Sequence, residues 1–170
     1  YRKGLFRLLE AFAGLPSQVG GVELTLAGEG PLEPELRRRA QALGIAGRVR
    51  FAGFLDRAGV RAELQRARAF VNPADYETGP LTLLEAMACG APIVTTPTGL
   101  AAEMGLGAPL LLVAAEPEAL AQGMAETLDR PDMAAARARA ARALAVASYG
   151  WDRVVDGLER IYGQRREQAA

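Results

Sequence analysis

The chain has 170 residues, half of them hydrophobic and 24% charged, which is enough apolar material for one soluble domain with a core. Its 20 basic and 20 acidic residues balance to a formal net charge of zero, which argues against a nucleic-acid surface, since that needs a basic excess. There is no histidine to serve as general base or metal ligand, and the single Cys89 excludes an internal disulfide and fits a reducing compartment.

Leu5, Leu8, Leu9, Phe12 and Leu15 recur at helical spacing and predict a helix over 4–15. Pro16 and the Gly20-Gly21 pair break it. VELTLA (22–27) is a β-prone run that ends in the turn GEGP. A helix follows over 34–43, with Glu33/Arg37 and Glu35/Arg39 at i, i+4 on a solvated face, so the run Arg37-Arg38-Arg39 reads as surface rather than as a phosphate site. RVRFA (48–52) is the next strand, and Asp56 caps a helix that runs to about residue 67. Strands are predicted over 69–72, 91–95 and 110–113, with a helix over 80–88 between the first two. From Glu116 the chain turns all-helical, over 116–128, 132–147 and 151–163, with Pro117 and Pro131 suited to helix starts. AAARARAARALA (134–145) reads as an alanine-rich helix with its arginines on the wet side. The longest apolar stretches, such as 109–115, are far too short to span a bilayer. The chain opens on Tyr1 rather than Met and reads as a fragment, which leaves upstream targeting open.

Strands alternating with helices through short connections predict an α/β domain, a doubly wound, Rossmann-like parallel sheet with helices on both faces and a helical C-terminal segment. In such sheets ligands bind beyond the carboxyl ends of the strands, which selects the loops 28–32, 53–56, 73–79 and 97–100. In loop 73–79, Thr78 or Gly79 can cap the next helix and Pro80 suits its first position. The amides of Leu81, Thr82 and Leu83 would then face the crevice, where a helix N-terminus favours phosphate. Glu77 stands at the helix mouth. Glu85, eight residues on, is expected on a half-buried face with Leu81 and Ala88 or Cys89. Two carboxylates so placed can accept hydrogen bonds from a polyhydroxylated ligand. Taken alone they have a plainer reading: a glutamate at a helix start is favourable without any ligand.

The wider pattern resembles one family. ETGPLTLLEAMACGAPIV (77–94) carries the E-x7-E signature of retaining, nucleotide-sugar-dependent glycosyltransferases of the GT-B fold. KGLFRLLEAF (3–12), LTLAGEGP (24–31), VRFAGFL (49–55), TPTGLAAE (96–103), PEALA (117–121) and YGWDRVVDGLERIY (149–162) are similar to further family segments in the same order. The resemblance covers nearly the whole chain. It implies one half of a GT-B fold, the C-terminal, donor-binding domain spanning 1–170, with a first strand and the acceptor-binding domain both ahead of Tyr1. It implies that Glu77 contacts the transferred sugar as the catalytic residue and Glu85 the ribose. Thr78, Gly79, Pro80, Leu81 and Thr82 would hold sugar and diphosphate. Lys3, the single lysine beside 19 arginines, would pair with the diphosphate as a point charge. The segment around Arg50 to Phe54 would line the base, largely through backbone, and Gly28 and Gly30 would belong with Phe54 to the donor-binding set.

The resemblance also implies a metal-independent transferase without cofactor whose donor is a nucleoside-diphosphate sugar. The acceptor would be bound by the other domain, the location cytoplasmic, and peripheral association with the inner membrane surface open. This chain alone is expected to bind donor weakly and transfer nothing. The alternative is a non-catalytic nucleotide-sugar-binding or assembly module of the same fold. An epimerase of this fold would call for histidine, and a phosphorylase for a denser basic pocket. There are departures from the pattern. Thr78-Gly79-Pro80 stands where the family often has Gly-Phe-Gly, so Pro80 removes an amide donor; Gly99-Leu100 replaces a glycine pair; and Gly150 replaces a capping serine. Trp151 is expected as a packing anchor, and Cys89 as a small buried side chain.

Overall fold

A computed structural model of the chain describes residues 2–16, 19, 21–79, 81–105 and 109–168, with side chains up to 163. The elements run α1 (Leu5–Ala13), β1 (Leu24–Ala27), α2 (Glu33–Ala42), β2 (Val49–Gly53), α3 (Arg57–Arg66), β3 (Phe70–Asn72), α4 (Leu81–Cys89), β4 (Ile93–Thr95), α5 (Leu100–Met104), β5 (Leu111–Leu112), α6 (Pro117–Asp129), α7 (Pro131–Ser148) and α8 (Trp151–Gln168). Every strand and every long helix expected from the sequence is present. The Asp56 cap forms as expected, its carboxylate accepting from Gly59 N at 2.7 Å. A short 3-10 turn over Ala46–Arg48 and the five-residue α5 were not anticipated, because elements so short carry no periodicity.

All strand pairs are parallel. β1 pairs with β2 (Leu24 opposite Val49, Leu26 opposite Phe51), β3 with β4 (Phe70 opposite Ile93) and β4 with β5 (Val94 opposite Leu111). The expected layer is therefore hydrogen-bonded as two sheets, β1-β2 and β3-β4-β5. Side chains join them. Leu8 and Ala11 of α1 and Leu120 and Met124 of α6 share one apolar cluster with Leu24, Leu26, Val71 and Val113.

Two further clusters fill the faces. Leu9 and Phe12 of α1 pack with Leu36 and Ala40 of α2 over Val49 and Phe51. On the other side, Leu64 of α3 and Leu83, Ala86 and Met87 of α4 meet Ile93, Ala101 and Ala141. The alanine-rich α7 buries Ala134, Ala138, Ala141 and Ala145, and these small side chains let it lie close on α4. Arg142 Nε donates to Ala88 O at 3.0 Å, satisfying a carbonyl at the end of α4.

Of the ion pairs expected on α2, Glu33–Arg37 forms at 2.7 Å, while Arg39 reaches Glu10 of α1 at 2.6 Å instead of Glu35. Arg50 on β2 is held by Glu63 of α3 at 2.7 Å and Glu23 at 3.1 Å. Hydrogen bonds from Arg66 and Arg50 keep the Glu63 carboxyl below its ordinary range, against the opposing effect of burial. The Arg50 guanidinium is raised, chiefly by its hydrogen bond to Glu63. Trp151 is not the anchor expected: it is 76% exposed, and Val154, Val155, Leu158 and Ile161 of α8 are exposed with it. No helix among the described residues is long and apolar enough to cross a membrane.

Candidate donor site

From β1 the chain steps outward to β2, and from β3 it steps to β4 and β5. In parallel sheets of this kind the crevice for a ligand lies at the carboxyl ends of the strands. The turn after β1, the loop 73–79 after β3 and 96–99 after β4 leave those ends, and residues 2–4 ahead of α1 meet the second of these segments.

The loop after β3 starts from a buried polar stitch. Thr95 and Thr96 are fully buried. Asn72 Nδ2 donates to Thr95 Oγ1 at 3.2 Å, Thr96 N to Asn72 O at 3.0 Å, and Thr96 Oγ1 to Ala74 O at 2.5 Å. Bonds this well shielded are costly to leave unmade, so they fix where the loop departs. Further along, a Cβ on Gly99 would lie 2.7 Å from Glu77 O, so the β4 loop backs directly onto Glu77.

Lys3 and Glu77 meet across this loop. Lys3 Nζ stands 2.6 Å from Glu77 Oε1, with the Lys3 side chain 69% exposed and that of Glu77 13% exposed. The two residues lie 74 positions apart, and the family resemblance implies the diphosphate for one and the transferred sugar for the other. Four residues that no sequence motif singled out lie beside them: Arg2, Arg7, Asp75 and Tyr76. Arg7 Nη1 is 2.8 Å from Asp75 Oδ1 and donates to Pro73 O at 3.2 Å. Arg2 stacks its guanidinium 5.0 Å from the Tyr76 ring centroid. Asp75 N donates to Arg2 O at 2.9 Å. Nothing local in the sequence joins residues 2–7 to 73–77; only the fold does.

Glu85 requires a correction. It was expected on a half-buried face, and it is exposed together with Leu81, Thr82 and Ala88. The core face of α4 is Leu83, Ala86 and Met87, which leaves Glu85 on the outer stripe; the apolar run around it had hidden this amphipathy. Cys89 is half-buried against the core, as its size suggested.

Thr78 and Gly79 are exposed at the crevice, and Pro80 lies outside the described residues. The first-turn amides of any α-helix lack a carbonyl partner within the helix, which favours an anion at its N-terminus. Gly28 and Gly30 are exposed on the other rim, where Gly28 N donates to Gly53 O at 2.7 Å and ties the β1 turn to the end of β2. Phe54 follows directly and is 77% exposed, an aromatic face open to stacking. Among the described residues no hydrogen bond or ion pair links this rim to Lys3 or Glu77.

Parallel strands alternating with helices packed on both faces define a protein of the Rossmann-like α/β class. Its family follows from comparison with known proteins: the chain belongs to the glycosyl transferases group 1, whose family model matches residues 1–144. It is 34% identical to glycogen synthase of Mycobacterium tuberculosis over 99% of this chain and 42% of that protein. Among solved structures it resembles sucrose-phosphate synthase from Thermosynechococcus elongatus, with a TM-score of 0.83 and 27% identity over 98% of this chain and 43% of that one. It also shares the fold of Anabaena HepE crystallised with UDP-glucose, with a TM-score of 0.85 and 24% identity over 96% of this chain and 46% of that one. The chain thus spans about two fifths of the length of the curated relatives. The fold is one half of the GT-B architecture, as the resemblance implied.

Proposed function

We propose that this chain is the donor-binding half of a glycosyltransferase that moves a sugar from a nucleoside-diphosphate sugar to an acceptor hydroxyl. The observation that carries this reading is the Lys3–Glu77 contact at the loop after β3. It sets a point charge suited to a diphosphate beside a carboxylate suited to sugar hydroxyls.

Transfer breaks the bond between the anomeric carbon and the phosphate oxygen and forms one to the acceptor oxygen, whose proton is released. The nucleoside diphosphate leaves as an anion. Lys3 and the first-turn amides of α4 stabilise the charge that develops on it, and cationic and amide donors of this kind serve without a metal ion. Glu77 orients the sugar through hydroxyl contacts rather than acting as general base. Thr78, Gly79, Leu81 and Thr82 line the path from sugar to diphosphate. Glu85, open to solvent on the same face as Leu81, accepts from the ribose. Gly28 and Gly30 let the nucleoside approach the backbone, and Phe54 covers the base. Retention of anomeric configuration and a cytoplasmic location, with peripheral contact at a membrane surface, belong to the same reading. So does an acceptor site on the other domain, without which this chain transfers nothing.

Glu77→Ala in the two-domain protein tests the assignment. Transfer falls by at least about a hundredfold with the circular dichroism spectrum unchanged, the scale of losing one transition-state contact. Near-normal turnover would refute it. A thermal-shift screen of UDP-, GDP- and ADP-sugars identifies the base, and donor binding without transfer in the intact protein would favour the non-catalytic module instead.

A further inference from the structure

Consecutive residues of the loop after β3 each meet one basic residue from the start of the chain: Asp75 meets Arg7, Tyr76 meets Arg2 and Glu77 meets Lys3. These contacts differ in what a donor would do to them. Under the proposed function, the donor draws Lys3 to phosphate and Glu77 to sugar hydroxyls, so binding parts the pair that joins them. Some other contact must then hold the loop in place.

Arg7 has the right construction for that role. Its side chain is 23% exposed, against 69% for Lys3. It projects from within α1, which is anchored in the core through Leu8 and Leu9, whereas Lys3 lies in the turn ahead of the helix. Its guanidinium holds the loop twice, by the Asp75 carboxylate and by the Pro73 carbonyl. Neither contact uses a group assigned to the donor.

We propose that Arg7, with Asp75, is a positioning residue for transfer: it pins loop 73–77 to α1 so that Glu77 and Lys3 keep a fixed separation when the donor parts them. This inference rests on the proposed function. Loss of the pin leaves the diphosphate contacts in place and misaligns the sugar. A displacement of about 1 Å at a reacting centre costs up to roughly a hundredfold in rate.

The test is steady-state kinetics on the two-domain protein carrying Arg7→Gln, Arg7→Lys, Asp75→Asn or the double variant Arg7→Gln/Asp75→Asn, with Glu77→Ala alongside. Arg7→Gln is expected to lower kcat roughly tenfold to a hundredfold while donor KM and nucleoside-diphosphate affinity stay within about twofold, the pattern of an interaction felt in the transition state. Arg7→Lys recovers part of kcat, and the double variant is no worse than the single ones, since both members of one pin are then absent. Wild-type kcat in Arg7→Gln beside an inactive Glu77→Ala would overturn the pin and leave the site reading standing. Turnover in Glu77→Ala would overturn both. A joint fall of kcat, affinity and melting temperature without rescue by lysine would mark a merely structural ion pair and also overturn the pin.

Discussion

Gly4→Ala puts the docking of the first helix on the candidate site to a direct test. Gly4 is the residue before α1, with φ at +66°, and it is buried. A Cβ built there would lie 2.8 Å from the Pro73 carbonyl carbon and nearer still to its oxygen. Two costs follow. The left-handed conformation disfavours an L-residue with a side chain by about 1 to 2 kcal/mol. The collision is with backbone, which cannot rotate away, and overpacking of this kind costs about 1 to 3 kcal/mol. Together they predict a loss of about 2 to 5 kcal/mol, or roughly 4 to 20 °C in melting temperature for a domain of this size. The only relief is for residues 2–4 to move off loop 73–77, and that movement separates Lys3 from Glu77 and Arg2 from Tyr76. Urea denaturation gives the stability, and calorimetry with a nucleoside diphosphate gives the affinity on the fraction that remains folded. A variant with wild-type stability and affinity would refute the idea that close backbone contact, rather than the ion pairs alone, sets the site.

Lys3→Ala is expected to weaken nucleoside-diphosphate binding by about 1.5 to 3 kcal/mol, the range for a hydrogen bond to a charged group; unchanged affinity by calorimetry would count against the phosphate role. Glu63 supplies a pH prediction. Its folded-state carboxyl lies below the ordinary 4.5, so its stabilisation is present above that value and is lost as pH falls through the lowered one. Melting temperature should therefore drop less steeply on acidification in Glu63→Gln than in the wild type, and parallel curves would show that the Arg50–Glu63–Arg66 cluster carries no pH dependence.

Much of the layout was legible because periodicity and punctuation agree along the chain. Leu5, Leu8, Leu9 and Phe12 marked α1, and three of its buried residues are among those that repeat. Lys3 and Glu77 were each singled out, one by rarity and one by its place at a predicted helix mouth, and the fold sets them 2.6 Å apart. The failures share a cause. Glu85 sat in an apolar run whose alternation of core and solvent positions only the neighbours of α4 decide, because Leu81 and Ala88 are as apolar as Leu83 and Ala86 and yet stay exposed. Arg39 had two acidic partners within reach, and the packing of α2 on α1 selected Glu10. Arg7 and Asp75 are ordinary surface types until a loop 66 to 74 residues distant is folded against α1, and no local pattern encodes that.

The Lys3–Glu77 pair also answers a problem of charge. Under the proposed function, a carboxylate whose side chain is only 13% exposed would repel a diphosphate bound beside it if left bare. Lys3 offsets that charge at 2.6 Å. Because its side chain is largely exposed and belongs to a turn, it can swing to the phosphates at little cost in packing. In the proposed function that movement releases the Glu77 carboxylate to the sugar, and the two ends of the ligand are recognised together rather than independently. A phosphate without a sugar would leave Glu77 unpaired, and a sugar without a phosphate would have to compete with Lys3 for Glu77. Under the proposed function the Lys3–Glu77 contact makes the whole nucleotide sugar a better ligand than either of its parts.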